Sequence, residues 1–230
     1  ALVKKALIDL DTLQKAGFNG VMVENFEGPG FVGATEDFKN VFLEVVKAVV
    51  EKASVPVGME IIYDMPATIE VAYQAGAKFV RLDVFVDNVE TRWGKVMAVP
   101  KKLQTMRNEL GNRKLIMLTD IHVKHAKLIS KKTLEESALE AIVYGSDGII
   151  ITGSWTGIEP DMEEIRLVKS VLGSYLSVLV GSGLNTDNIQ KLISLADGAI
   201  VGTSIKTGDY VDYKKAKTLV KKVSTFRLSL

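Results

Sequence analysis

The stretch Thr133–Gly157, TLEESALEAIVYGSDGIIITGSWTG, holds one full unit of the fold. Thr133 and Glu136 have the spacing of a capping box, in which hydroxyl and carboxylate each satisfy an orphan amide at a helix start. Ala138, Ala141 and Ile142 then recur at helical steps. Ser146 to Thr152 is an apolar run of strand length, ending in Thr152-Gly153-Ser154. A helix feeding a short buried strand is the repeating piece of a parallel α/β protein.

The same alternation extends in both directions. Upstream, helical spacing over Leu2, Ala6, Leu7, Leu10 and Leu13 stops at Gly17, and Gly20 to Asn25 reads as a strand. A helix follows Thr35 and stops before Val55-Pro56; the next strand is Val57 to Tyr63. A helix runs from Pro66 to Gly76, a strand from Phe79 to Phe85, a helix from Pro100 to Leu110 and an extended run from Leu115 to His122. Downstream lie strands at Ser177–Gly181 and Gly198–Val201, helices around Asp161–Val171 and Thr186–Leu195, and a last helix from Tyr213. Strands joined through helices must run parallel, because each crossover returns the chain in the same direction. No linker or composition break divides the chain, so one domain over residues 1–230 is expected. Eight helices and seven strands fit an α/β (β/α)8 TIM barrel if the first β-strand is missing from the chain, lying before Ala1. An open doubly wound sheet is the alternative.

Composition limits the function classes. The 29 Lys and Arg residues balance 28 Asp and Glu, which gives no argument for a nucleic-acid or anionic-membrane partner. No apolar run approaches the ~20 residues of a membrane span, and a soluble cytoplasmic protein is expected. The absence of cysteine removes disulfides and thiolate chemistry. Only six of the basic residues are arginine, and this lysine-heavy balance leans toward a thermophilic source.

Charges inside apolar strands are costly unless paired or used. One strand ends in Glu24-Asn25, the next contains Glu60, the third holds Arg81 and Asp83, and the fourth ends Asp120, His122, Lys124. In a parallel barrel the C-terminal strand ends carry the site. Two readings follow: a cavity of functional groups, or a structural ring in which Arg81 and Lys124 neutralise the carboxylates. By strand alternation Asp120 and His122 share a face, so the carboxylate is expected to fix the imidazole's tautomer. His125 lies past the strand with opposite parity. Oxygen-rich ligation by Glu24, Glu60, Asp83, Asp120 and His122 would suit Mg²⁺ or Mn²⁺, although no local spacing specifies a metal.

The last strands end differently, in glycine and hydroxyl residues: Thr152, Gly153, Ser154, Thr156 and Gly157, then Gly181-Ser182-Gly183, then Gly202-Thr203-Ser204 with Lys206 nearby. Such turns let backbone amides approach an anion, and barrels commonly hold phosphate on the loops after their last two strands. The bland alternative is that these glycines serve tight turns. Gly28-Pro29-Gly30-Phe31-Val32-Gly33 matches G-x-G-x-x-G literally, but the helix starts only after Thr35, so a mobile loop is expected there rather than a dinucleotide site. Asp87 to Val96, with Arg92, Trp93 and Gly94, reads as a second long loop able to close over a ligand.

VENF (23–26), DIHVKHA (120–126), ITGSWTG (151–157), VGSG (180–183) and ADGAIVGTSIK (196–206) together resemble the BtpA family, in matching order over essentially the whole chain. The resemblance implies a TIM barrel. The family takes its name from a cyanobacterial factor needed for stable accumulation of photosystem I, and a bacterial relative belongs to a sugar-metabolism gene cluster. By position, the resemblance supports Glu24, Asn25, Asp120, His122, Lys124, His125 and the residues of the glycine turns. Family members usually carry Asn where this chain has Glu60 and Asp83, and their opening strand, with its His-Leu and Pro-Leu-Pro-Gly segment, is absent here.

These readings converge on an enzyme for a small phosphorylated ligand, a sugar or nucleoside phosphate. The phosphate would sit on Gly181–Gly183 and Gly202–Ser204, with acid/base work at Asp120 and His122. Lys124 would stabilise negative charge and stay protonated beside the carboxylates. Glu24, Glu60 and Asp83 would hold a hydroxyl or metal, with Asn25, Arg81, His125, Thr152, Ser154 and Thr156 lining the substrate. The alternatives are a non-catalytic assembly factor and a regulator that senses a phosphate ester; homo-oligomerisation stays open.

Overall fold

Seven short strands lie side by side in chain order, each pair parallel: β1 (Val21–Glu24), β2 (Val57–Glu60), β3 (Phe79–Leu82), β4 (Ile116–Asp120), β5 (Gly148–Ile151), β6 (Ser177–Val180) and β7 (Gly198–Ala199). The computed structural model describes residues 1–25, 33–109, 111 and 115–227. Strands β2 and β5 are buried at every residue, as a parallel sheet covered on both faces requires. Full burial of residues such as Leu82, Ile149 and Ile150 contributes roughly 1.5–3 kcal/mol each.

Eight helices surround the sheet among the described residues: α1 (Leu2–Ala16), α2 (Glu36–Lys52), α3 (Met65–Ala75), α4 (Pro100–Glu109), α5 (Leu134–Val143), α6 (Met162–Leu172), α7 (Ile189–Ile193) and α8 (Tyr213–Arg227). The sheet curls, giving a (β/α)8-type barrel with seven strands in its wall among the described residues. The helical ring closes where α1 meets α8. There Lys217 Nζ donates to the Ala16 carbonyl at 3.3 Å, and the Val211 amide donates to Asp9 at 2.9 Å.

Local sequence explains the helix starts. Thr133 and Glu136 form both arms of the capping box before α5, Thr35 accepts the Phe38 amide before α2, and Asp64 accepts the Ala67 amide before α3. Several boundaries are tighter than the apolar pattern suggests. β2 stops at Glu60, β3 at Leu82 and β4 at Asp120, although the residues that follow, Ile61, Asp83 and Ile121, are still buried. The helix expected over Thr186–Leu195 shortens to five residues.

The stretch from Asp87 to Val96 is not a bare loop. Val89–Thr91 and Gly94–Val96 pair as an antiparallel hairpin, and Ala126–Leu128 joins it on the other side. This small sheet ties the loop after β3 to the loop after β4. Of the G-x-G-x-x-G match, residues 28–32 lie outside the described residues.

Candidate active site at the strand ends

Glu24 and Glu60 are register partners on β1 and β2, so two carboxylates point the same way from neighbouring strands. Arg81 reaches across from β3 and makes that arrangement tenable. Its Nε and Nη2 donate to the two oxygens of Asp120 at 2.8 and 2.7 Å, while Nη1 lies 3.5 Å from Glu60 and 3.9 Å from Glu24. Arg81, Glu60 and Asp120 are all buried. Burial works against the guanidinium's charge, but Asp120 and Glu60 outweigh it and raise the pKa of Arg81 further. The fork geometry of guanidinium on carboxylate is the strongest form of such a pair.

Asp83 stands beside this cluster, buried, and accepts the Tyr63 amide at 3.3 and 3.1 Å. Burial, then the Asp120 charge, push its carboxyl up to about 7. Burial likewise raises Glu60 well above the carboxylate range, against the pull of Arg81. The Tyr63 hydroxyl is pushed up to about 12, first by burial and then by Asp83. Four carboxyl groups thus gather around Arg81, and the proton that burial favours on Glu60 brings the cavity towards charge balance. Tyr63 itself has a left-handed backbone (φ 61) and packs edge-on against Trp93 at 5.8 Å.

Past β4 the strand alternation ends. His122 and His125 both adopt positive φ, 47 and 61, so Asp120 and His122 do not form the pair that alternation predicts. Both oxygens of Asp120 are taken by Arg81 instead. The His122 amide donates to Asp87 at 2.9 Å, and its ring faces a cleft with Nε2 buried and without a hydrogen-bond partner among the described residues.

That cleft, about 610 Å³, is formed by the loops 121–127 and 151–159 with Asp161 and Glu164 at the start of α6. It brings together the two most distinctive sequence motifs. The Lys124 amide donates to Thr152 Oγ1 at 3.1 Å, and the His125 amide to the Ser154 carbonyl at 3.3 Å. His125 Nε2 accepts the Thr156 amide at 3.2 Å, lies 2.8 Å from the Thr156 hydroxyl, and packs edge-on against Trp155 at 4.5 Å. Burial and the nearby Lys124 lower the His125 pKa. Burial, then Asp161, raise that of Glu164. Burial and the Arg81 charge lower the pKa of Lys124, against the opposing pull of Asp120, Glu24 and Glu60.

The glycine turns divide into two kinds. Gly183 has φ 72, and a Cβ there would fall 2.1 Å from the Glu159 amide nitrogen. Ser182 Oγ accepts the Gly153 amide and donates to the Ile158 carbonyl. This turn therefore seats the 152–159 loop, which is the bland reading of its glycines. A Cβ at Gly181 would meet Ile150 at 2.4 Å and stand 3.7 Å from Arg81 Nη2, so this turn also abuts the charged cluster. Gly202 and Thr203 are exposed and nothing lies within 4 Å of a Cβ at Gly202, while Ser204 Oγ donates to the Leu184 carbonyl. Asn25 is positioned structurally, its Oδ1 accepting the Ile62 amide at 2.7 Å.

The sequence reading missed Asp87, Glu164 and Tyr63. Asp87 alone carried a signal, as a carboxylate closing the apolar run Val84-Phe85-Val86. Among the described residues, no three His, Asp or Glu side chains come together as a cation's ligand set. Arg81 stands among the carboxylates expected to hold a metal.

Fold and site together define a (β/α)8-type barrel protein with charged and polar groups gathered at the C-terminal strand ends. Structural comparison agrees on the fold. Thiamine phosphate pyrophosphorylase from Pyrococcus furiosus aligns at TM-score 0.63 and 16% identity over 95% of this chain and 90% of its own. Phosphoribosyl anthranilate isomerase from Thermus thermophilus aligns at TM-score 0.60 and 12% identity over 98% and 95%. KGPDC from Streptococcus mutans aligns at TM-score 0.65 and 12% identity over 98% and 93%. The chain belongs to the BtpA family, whose model matches residues 1–225. An uncharacterised protein of Pyrococcus abyssi is 33% identical over 98% of this chain and 88% of its own length. The photosystem I biogenesis protein BtpA of Synechocystis is 30% identical over 90% and 72%. The Pyrococcus relative fits the thermophilic lean of the composition. Among the described residues no helix is long and apolar enough to cross a membrane.

Proposed function

We propose that this chain is an enzyme acting on a small phosphorylated metabolite, a sugar or nucleoside phosphate, by acid/base chemistry. The observation that carries the reading is the cleft where His122, Lys124 and His125 meet the 152–157 loop, next to the Arg81 cluster. His122 Nε2 is buried without a protein partner, and a ligand hydroxyl or carbonyl satisfies it. Asp83, with a pKa of about 7, holds or releases a proton near neutrality, where a general acid/base works best. Asp120 acts through Arg81, as a positioning residue. The phosphate is assigned to the open turn Gly202–Ser204, on the strand beside Gly181 and the Arg81 cluster. The phosphate compounds in the names of two structural neighbours support this choice.

The experiment is a melting-temperature screen across sugar and nucleoside phosphates. Ligand at a hundred times its Kd adds about 2.7 kcal/mol of stability, which moves the melting point by several degrees. Absence of a shift with every phosphate ester overturns the proposal. A second reading, an assembly factor, draws on the name of the Synechocystis relative. It calls for a filled or collapsed cavity and a large apolar exterior patch, whereas the open cleft of about 610 Å³ between the loops at the strand ends supports the enzyme reading.

A further inference from the structure

We infer that Lys124 is an amine nucleophile that captures an aldehyde or ketone ligand as an imine, which would make the substrate a carbonyl compound. The inference deepens the enzyme reading above and rests on the cleft being its ligand site. Three observations carry it.

The first is contact. Lys124 is half-buried in the cleft wall, yet its Nζ makes no hydrogen bond or ion pair with any described residue. Lysines that reach acids unopposed bind them: Lys39 holds Glu36 and Glu70, and Lys169 holds Asp197 with two bonds. The reason is competition. Arg81 takes both oxygens of Asp120 and is the cation nearest Glu60 and Glu24, leaving Lys124 close to the acids but bound to none.

The second is the neighbouring cation. A guanidinium does not give up its proton in a protein, whereas an ammonium beside it does, so of the two basic groups only Lys124 can relieve the repulsion. Burial adds to this, and both act to lower the lysine's pKa. Desolvation and an adjacent cation are the two established ways of activating an amine for imine formation.

The third is placement. The Lys124 amide is pinned to Thr152 Oγ1, so the side chain starts from a fixed point between the two loops. His122 Nε2, buried in the same cleft, is available to a carbonyl oxygen or its hydroxyl adduct.

The step balances. The neutral amine's lone pair forms a C–N bond to the carbonyl carbon, and the oxygen takes a proton to give a carbinolamine. The C–O bond then breaks and the oxygen leaves as water, carrying off one amine proton and one from an acid in the site. Glu164, which lines the same cleft and whose carboxyl is raised by burial, is the acid that supplies it. No oxidant or metal is required.

Borohydride trapping tests this directly. The whole chain is incubated with glyoxylate, or with glyceraldehyde 3-phosphate, and sodium borohydride is added to reduce any imine to a stable secondary amine. Peptide mass mapping then compares all 23 lysines. The expected result is an adduct on Lys124 in excess over every surface lysine, because a lowered pKa leaves more of it as free amine at a given pH. Trapping at Lys124 should also persist to lower pH than at surface lysines. Lys124→Arg keeps the charge and should lose that adduct alone, with melting confirming that it folds. Adducts spread evenly over the lysines overturn the inference. Glycerol 3-phosphate, which has a phosphate and no carbonyl, separates the two proposals. A melting shift with it and no Lys124 adduct leaves the phosphate reading and removes the imine. An adduct with glyoxylate and no shift does the reverse.

Discussion

Arg81 and Asp120, on neighbouring strands β3 and β4, meet through two parallel hydrogen bonds with both side chains buried. Neither group has an alternative partner of equal quality, and the same guanidinium separates the in-register Glu24 and Glu60. Removing one partner of such a pair leaves an uncompensated buried charge. Arg81→Met should therefore cost about 3–5 kcal/mol in urea unfolding. The double variant Arg81→Met/Asp120→Leu should recover much of that loss. A double variant no more stable than the single would show that the pair is not the source of the cost.

The two raised carboxyl groups give stability a pH dependence of unusual sign. Asp83 titrates at about 7 in the folded chain and near 3.8 when unfolded. Between those values the folded state holds the extra proton, so stability is fullest at the acid end and falls as pH rises through the folded pKa. Each retained proton contributes a slope of up to about 1.4 kcal/mol per pH unit. The melting temperature of Asp83→Asn, measured from about pH 5 to pH 8, should lack the part of the decline that wild type shows. Equal slopes in the two proteins would remove Asp83 as the titrating group.

Much of the barrel was legible because helical and strand periodicities leave different marks and the apolar runs alternate without a break. The site was legible only in part. Glu24, Glu60, Arg81, Asp83 and Asp120 stood out as charges inside apolar strands, which is costly without a reason. Their partnering was hidden, since nothing in one dimension says that Arg81 rather than Lys124 takes Asp120. Alternation also misplaced His122, because the chain leaves the extended conformation right after Asp120 and enters a left-handed turn. The glycines of 181–183 and 202–204 look alike in sequence. The contact that distinguishes Gly183, with the Glu159 backbone, spans two loops.

That difference between the turns can be measured. Gly183→Ala combines a positive φ with a Cβ 2.1 Å from a backbone atom, which no side-chain rotation relieves. It should lose more than about 1–3 kcal/mol, as strained backbone and overpacking do, with or without ligand. Gly202→Ala meets nothing within 4 Å and should cost no more than about 1 kcal/mol. If the open turn holds phosphate, Gly202→Ala should nonetheless shrink the melting shift given by glycerol 3-phosphate. An undiminished shift would place the phosphate elsewhere.

Asp87 is the residue on which the position of His122 depends. It is 2% exposed, and its two oxygens accept the His122 amide at 2.9 Å and the Ser137 hydroxyl at 2.6 Å. It thereby ties the loop after β4 to helix α5, and it holds His122 in a backbone conformation that a non-glycine residue seldom adopts. Asp87→Ala orphans two buried donors, at about 1–3 kcal/mol for each. Ser137→Ala removes one donor together with its need and should cost less. A purely structural role would lower the melting temperature of Asp87→Ala while leaving the ligand-induced shift intact. A role in placing His122 predicts that the shift is lost as well, and that Asp87→Asn, which keeps an acceptor oxygen for the amide, restores part of it. Comparing the three variants with and without a binding sugar phosphate decides between them.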